Sequence, residues 1–268
     1  MLDEKTKNEI YEQAVQKESE GSRLHFEKKV EEAFDAFDEA GRLYRECGEP
    51  LKAAVCFASA ASCWNIHTGW QPMLKAATRN EYAAHEALKV GNYDYAAALF
   101  REAAQLYEQE GASDNYSSCF IAAKRASARR AWEIFTHARV PGAEIPVGVS
   151  FKERFKAFKR WLLNELSYGI WGYGERPEKT LVIALLLVLI YAGIYQISGL
   201  VKTSTGIRPI DFGEAIYFSA ITFCTVGFGD YLPTGFIRIF AVMEAISGIT
   251  LPSLFLIALS RRYLRMER

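Results

Sequence analysis

Histidine, cysteine and proline are scarce in this 268-residue chain, at four, five and eight copies. The cysteines are Cys47, Cys56, Cys63, Cys119 and Cys224. None forms a C-x-x-C pair and no histidine stands at zinc-ligand spacing from them, so no zinc site is encoded. They read as small buried residues in a reducing compartment, with a redox sensor as the alternative. His25, His67, His85 and His137 are scattered singly and give no ligand set. Net charge is absent too, with 32 basic against 32 acidic residues. The first half is rich in acids and holds no nucleic-acid motif, which argues against a nucleic-acid partner. The opening Met1-Leu2-Asp3-Glu4-Lys5-Thr6-Lys7 is not followed by an apolar core, so a signal peptide is not expected. No span carries repeated arginines, which excludes a built-in voltage sensor of that type.

What is present is split between two halves. Residues 1–140 are rich in Ala, Glu, Lys and Tyr, and from Leu181 the chain is mostly apolar. In the first half Gly and Pro are sparse and apolar residues recur every three or four positions, a helical signal. Helices are expected near 3–20, 23–47, 51–66, 71–90, 94–110 and 113–138. The segments from Gly48 and from Gly91 both read G-x4-A-x3-F-x2-A, and Phe37 to Gly48 echoes Phe100 to Gly111. Small alanines let helices approach closely, phenylalanine fills the neighbouring gap, and glycine opens the turn. The pattern resembles tetratricopeptide repeats, whose signature includes A-x3-F. The 43-residue spacing of the two glycines fits longer paired helices of the SNAP-adaptor type better; a plain amphipathic bundle is the other reading. Such a solenoid implies a groove for a protein or peptide partner. Lys124-Arg125-Ala126-Ser127-Ala128-Arg129-Arg130 is a basic face, either solvated or set against an anionic surface.

Residues 141–180 form a connector. Val140-Pro141-Gly142 and Pro146 end the helical half. Phe151, Phe155, Phe158 and Leu162 then share one helical face among Lys152, Arg154, Lys156, Lys159 and Arg160. This basic amphipathic helix suits either a membrane interface or docking onto the first half. Tyr168, Trp171 and Tyr173 read as an aromatic belt.

Residues 181–268 read as a pore domain. An uncharged run, 181–201, is long enough for a hydrocarbon core of roughly 30 Å, and a second span is placed at 236–260. Basic residues crowd before the first span and after the second (Arg261, Arg262, Arg265, Arg268), whereas the segment between holds Lys202 and Arg208 against Asp211, Glu214 and Asp230. The positive-inside rule then puts both termini in the cytoplasm of an integral membrane protein. Between the spans, Asp211 and Glu214 open a re-entrant helix at 212–224, and Thr225-Val226-Gly227-Phe228-Gly229-Asp230 follows it.

TVGFGD resembles the filter of two-transmembrane potassium channels, in which four TVGYG-type loops line a pore with carbonyl oxygens. Phe228 departs from the usual Tyr and lacks its hydroxyl. The resemblance implies that the carbonyls of Thr225, Val226, Gly227 and Phe228, with the Thr225 hydroxyl, bind dehydrated K+. It implies further that Gly229 turns the chain and Asp230 caps the outer mouth. Tyr217 and Phe218 stand where that family has an aromatic cuff. Gly248 stands at its hinge glycine, with close helix packing as the alternative, and Pro252 can kink the same span. Glu244 is an acid within an apolar span, a functional candidate by default. A buried hydrogen bond to the pore helix is the preferred reading, and pore lining is the other. The fold expected is thus all-α, a helical-repeat domain joined to a two-helix pore domain. The function expected is passive K+ conduction by a homotetramer in a lipid bilayer, with no cofactor, no catalysis, and gating through the N-terminal helices. The alternative is a membrane-anchored adaptor with a secondary or non-selective cation pore.

Overall fold

The computed structural model describes residues 4–64, 70–137, 148–204 and 206–266. The expected break at Val140–Pro146 lies outside them. The chain divides into two compact units, Met1–Glu165 with Arg265–Arg268, and Leu166–Leu264.

The first unit is a helical bundle: α1 (Glu4–Phe26), α2 (Val30–Glu46), α3 (Pro50–Trp64), α4 (Trp70–Lys89), α5 (Tyr93–Gln109) and α6 (Ser113–His137). Each of these helices packs on the next in sequence. The turns after α2, α4 and α5 each use a glycine at positive φ, Gly48, Gly91 and Gly111. A side chain would be strained there. Gly21 behaves differently. The sequence suggests a break between residues 20 and 23, but α1 runs on to Phe26. A Cβ on Gly21 would lie 2.9 Å from the Phe37 ring, so this glycine serves close helix approach and not a turn.

Alanine dominates the core of this unit, with Tyr44, Phe57, Phe100 and Tyr107 filling between the closely approached helices. The repeat is larger than the glycine spacing suggests. The Tyr44 hydroxyl donates to Glu18 at 2.6 Å, and the Tyr107 hydroxyl donates to Glu81 at 3.0 Å. Both pairs span 26 residues, and the second pair lies 63 positions after the first. The same displacement carries Phe37 to Phe100, Gly48 to Gly111, Cys56 to Cys119 and Phe57 to Phe120. The bundle is therefore two copies of a three-helix element, α1–α3 and α4–α6.

Helix α7 (Phe151–Trp171) begins in the first unit. Its residues Phe158 and Trp161 meet Phe135 and Trp132 of α6, at ring-centroid distances of 5.0 and 4.5 Å. Phe151 and Phe155 remain exposed, so the four-residue apolar face expected from sequence is divided.

In the second unit Gly172, Tyr173 and Gly174 all take positive φ and end the helical run of α7. Helix α8 (Pro177–Ser198) starts with proline in its first turn, where the missing N–H costs nothing, and stops at left-handed Gly199. These signals put the helix a few residues ahead of the expected 181–201 span. Next come the short strands β1 (Val201–Thr203) and β2 (Gly206–Arg208), then α9 (Phe212–Phe223), β3 (Leu232–Pro233) and α10 (Ile237–Met266). The strands form an antiparallel sheet in the order β2-β1-β3, which the all-helical expectation did not include. Pro177–Ser198 and Ile237–Leu264 are both long and apolar enough to cross a membrane.

Candidate functional site

The site is built from the start of α9 onward. Asp211 is extended (φ −72°, ψ 170°) and its carboxylate accepts from the Glu214 N–H at 2.9 Å. Glu214 accepts in return from the Asp211 N–H at 3.0 Å, which completes a capping box. The Arg208 guanidinium grips both Glu214 oxygens, at 2.9 and 2.5 Å, and the Tyr231 hydroxyl donates to the same carboxylate at 3.1 Å. Glu214 thus ties β2, the start of α9 and the segment after the TVGFGD loop to one point. Its charged form is favoured by Arg208 first and the Asp211 N–H second, which hold the carboxyl down to about 2.

At the other end, the backbone leaves α9 by way of three left-handed residues separated by ordinary ones. Thr225, Gly227 and Gly229 have φ of 58°, 52° and 82°. Glycine takes this conformation without penalty; threonine, β-branched, does not. Thr225 is held by its N–H bond to the Thr222 carbonyl (3.0 Å), and the next residue by the Val226 N–H to Ile221 (2.9 Å). The Gly227 N–H also reaches Ile221, at 3.3 Å. Alternating hand along a strand lets successive carbonyls face one side, which an ordinary extended strand forbids. The whole run from Cys224 to Asp230 is exposed in the single chain, Phe228 included.

The surrounding side chains brace this loop. The Tyr217 hydroxyl donates to Asp230 at 2.9 Å, and the other Asp230 oxygen accepts from the Tyr231 N–H at 3.1 Å. Phe218 is buried, its ring 4.7 Å from that of Tyr195 on α8. Glu244 is fully buried. It accepts from the Tyr195 hydroxyl at 2.6 Å and is bonded to Ser219 on α9, while Ser219 also reaches the Val188 carbonyl at 2.8 Å. One carboxyl therefore links α8, α9 and α10. Neither Ser219 nor Tyr195 was picked out from the sequence. Their signal was available: each is a hydroxyl within an apolar helix, and Glu244 needs partners.

Gly248 and Pro252 act on the same turn of α10. Pro252 has no N–H to offer the Gly248 carbonyl four residues back. A Cβ at Gly248 would lie 1.8 Å from the Phe223 carbonyl oxygen, so α10 crosses the end of α9 at backbone contact distance. Arg208 and Tyr231 were likewise missed as site residues. No short motif marks the Arg208–Glu214–Tyr231 strut, because its members come from three elements.

Residues 183–265, from the first turns of α8 through the loop to the end of α10, match the family model described as ion channel. No curated protein and no solved structure matches the chain. Two helices long and apolar enough to cross a membrane thus bracket the loop within the residues that are similar to ion channels.

Proposed function

We propose that the protein conducts K+ passively across a membrane as a homotetramer, with Thr225, Val226, Gly227 and Phe228 supplying the ion-binding oxygens. The observation that carries this reading is the alternation of left-handed φ at Thr225, Gly227 and Gly229. It occurs immediately after a capped helix whose C-terminal end carries partial negative charge, favourable to a cation. Carbonyl rings of this kind replace the hydration shell of K+. One chain contributes one loop, and closing a pore around an axis requires cyclic copies. The exposure of Val226 and Phe228 supports such an assembly, since large apolar side chains gain by being covered. Asp230 would cap the outer mouth and Gly229 turn the chain into it, while Tyr217, Phe218 and Glu244 hold the loop from behind. Gly248 and Pro252 would allow α10 to bend. No catalysis and no resident cofactor enter this reading; K+ is the permeant ion.

The first unit is the gating input in this proposal. Its successively packed helices keep it near the helical-repeat adaptors, although its unit is three helices and not the helix pair of a tetratricopeptide, and a groove on it would take a protein or peptide partner. Chain continuity through α7 carries a change in the bundle toward α8. The termini would face the cytoplasm. The test is K+ and Na+ efflux from liposomes holding the full chain, compared with a chain lacking residues 1–140. Potassium-selective flux with altered open probability in the truncated chain is expected. Sodium passing as readily would reject the selectivity, and identical gating would reject the role of the helices.

A further inference from the structure

The two copies of the three-helix element differ at one charged position. In the first copy Lys17 on α1 reaches across to α2, its ammonium 3.1 Å from Glu20 and 3.3 Å from Glu39. The 63-residue displacement carries Glu39 to Glu102, Leu43 to Leu106 and Tyr44 to Tyr107. It carries Lys17 to Asn80, however, and Glu20 to Ala83. The second copy therefore keeps one acceptor and the wall beside it, and lacks the cation.

An open pocket of about 290 Å³ between α4 and α5 stands at this place, lined by Asn80, Glu102, Gln105, Leu106 and Gln109. Asn80 is only 2% exposed, yet its amide has no hydrogen-bond partner among the described residues. A buried amide is costly to leave unpaired. Glu102 has no ion pair among the described residues either. The arginines adjoining the two in sequence are engaged elsewhere, Arg79 with Asp38 and Arg101 with the Ala97 carbonyl, each at 3.1 Å. Gln105 and Gln109 follow Glu102 at three and seven positions, so all three share one exposed face of α5.

This set selects its occupant by chemistry. Glu102 repels anions. One carboxylate beside a half-buried leucine is a poor cage for a metal ion, which calls for several oxygens. An ammonium on an alkyl stem uses every part, because it has three protons to donate and its methylenes can lie on Leu106. The first copy fills the corresponding position with a lysine of its own.

We propose that the pocket receives a lysine side chain from a partner polypeptide. Its ammonium donates to the Asn80 amide oxygen and the Glu102 carboxylate, its stem covers Leu106, and Gln105 and Gln109 bond the partner's backbone at the rim. This rests on reading the first unit as a partner-binding module, and it adds what the partner must present.

The full chain in detergent micelles, titrated with acetyl-Gly-Lys-Gly-amide and followed by saturation transfer to the lysine methylenes, tests this. Saturable binding is expected, and the same peptide acetylated on Nζ, which has lost its charge, should not bind. Glu102→Gln should weaken binding about tenfold, the scale of one charge-assisted hydrogen bond. Asn80→Lys should abolish it by supplying the missing ammonium from within the chain. Because Glu102 is exposed, its variant tests the pocket even where Asn80→Lys disturbs packing. Absence of binding, equal binding of the acetylated peptide, or parental affinity in Glu102→Gln would overturn the proposal. Butylammonium binding as tightly as the peptide would overturn the assignment to a partner chain. Potassium chloride displacing the peptide better than tetramethylammonium chloride at equal ionic strength would mark a metal site and overturn it too. Neither flux nor gating is read, so a failed titration leaves the gating role of the helices to its own test.

Discussion

Substituting alanine for Gly248 places one methyl group where α10 crosses the end of α9. The Cβ would stand 1.8 Å from the Phe223 carbonyl oxygen, 2.7 Å from its carbon and 3.1 Å from its Cα. Cβ atoms do not approach neighbours closer than 3.0 Å, and here the obstacle is backbone that cannot swing aside. The helices must separate by more than 1 Å. A helical glycine gains about 1 kcal/mol on becoming alanine through propensity alone, but overpacking a filled interior costs about 1–3 kcal/mol. The displacement falls on Phe223, two residues before Thr225, so it is transmitted directly to the base of the loop. Gly193 in α8 is the matched control, because a Cβ there meets nothing within 4 Å. Liposome flux of K+ and Na+ at equal protein, with unfolding in mixed micelles, measures both consequences. Gly248→Ala should lower K+ flux or the K+ over Na+ preference by up to roughly 30-fold, the equivalent of the about 2 kcal/mol left when the propensity gain is set against overpacking, whereas Gly193→Ala should match the parent. A Gly248→Ala chain with parental flux, selectivity and stability would refute the reasoning. A change in open time alone would favour a hinge role over close packing.

Glu244→Ala removes two interhelical hydrogen bonds at about 0.6–2 kcal/mol each, whereas Glu244→Gln keeps an acceptor for Tyr195; unfolding midpoints should fall clearly for alanine and little for glutamine, and equal losses would contradict the linkage. Glu214 titrates near 2 against an ordinary 4.5, so its contribution is fully present above pH 4.5 and is lost as pH falls from there through 2. The melting temperature gap between the parent and Arg208→Gln should therefore be full at pH 6 and shrink below pH 4.5, and a pH-independent gap would count against the strut. Burial pushes the Cys56, Cys63 and Cys119 thiols up to about 12, 11 and 12; iodoacetamide at neutral pH should modify them only after unfolding, and fast native labelling of any of the three would contradict their placement.

Helix positions in the bundle were legible because alanine, phenylalanine and glycine recur at helical spacing, and the turn glycines Gly48 and Gly91 were read from that pattern. Gly21 was not, since a glycine that permits close approach and one that ends a helix look alike until the opposing Phe37 is known. The three-helix repeat was only partly visible as the Phe37–Gly48 echo; its Glu18–Tyr44 and Glu81–Tyr107 bonds join residues too far apart for a local motif. In the second unit the capping residues of α9 were evident from Asp211 and Glu214, and the loop from its alternating glycines. Thr225 adopts the same hand although its side chain disfavours it, so composition alone marked two of the three left-handed positions. The small sheet was missed because strands of two or three residues carry no periodicity to read. The divided face of α7 shows the same limit: Phe151, Phe155 and Phe158 share a stripe in projection, yet only Phe158 leans far enough round to meet α6.

Cation flux through the loop is the decisive measurement. The purified full chain in liposomes, alongside Gly227→Ala, is loaded with K+ or Na+ and its efflux followed under an imposed gradient. The parent should release K+ far faster than Na+, and Gly227→Ala, which puts a side chain on a left-handed residue (φ 52°), should lose that difference. Equal K+ and Na+ efflux from the parent, or unaltered selectivity in Gly227→Ala, would contradict the assignment of Thr225–Phe228 as the ion-selecting oxygens.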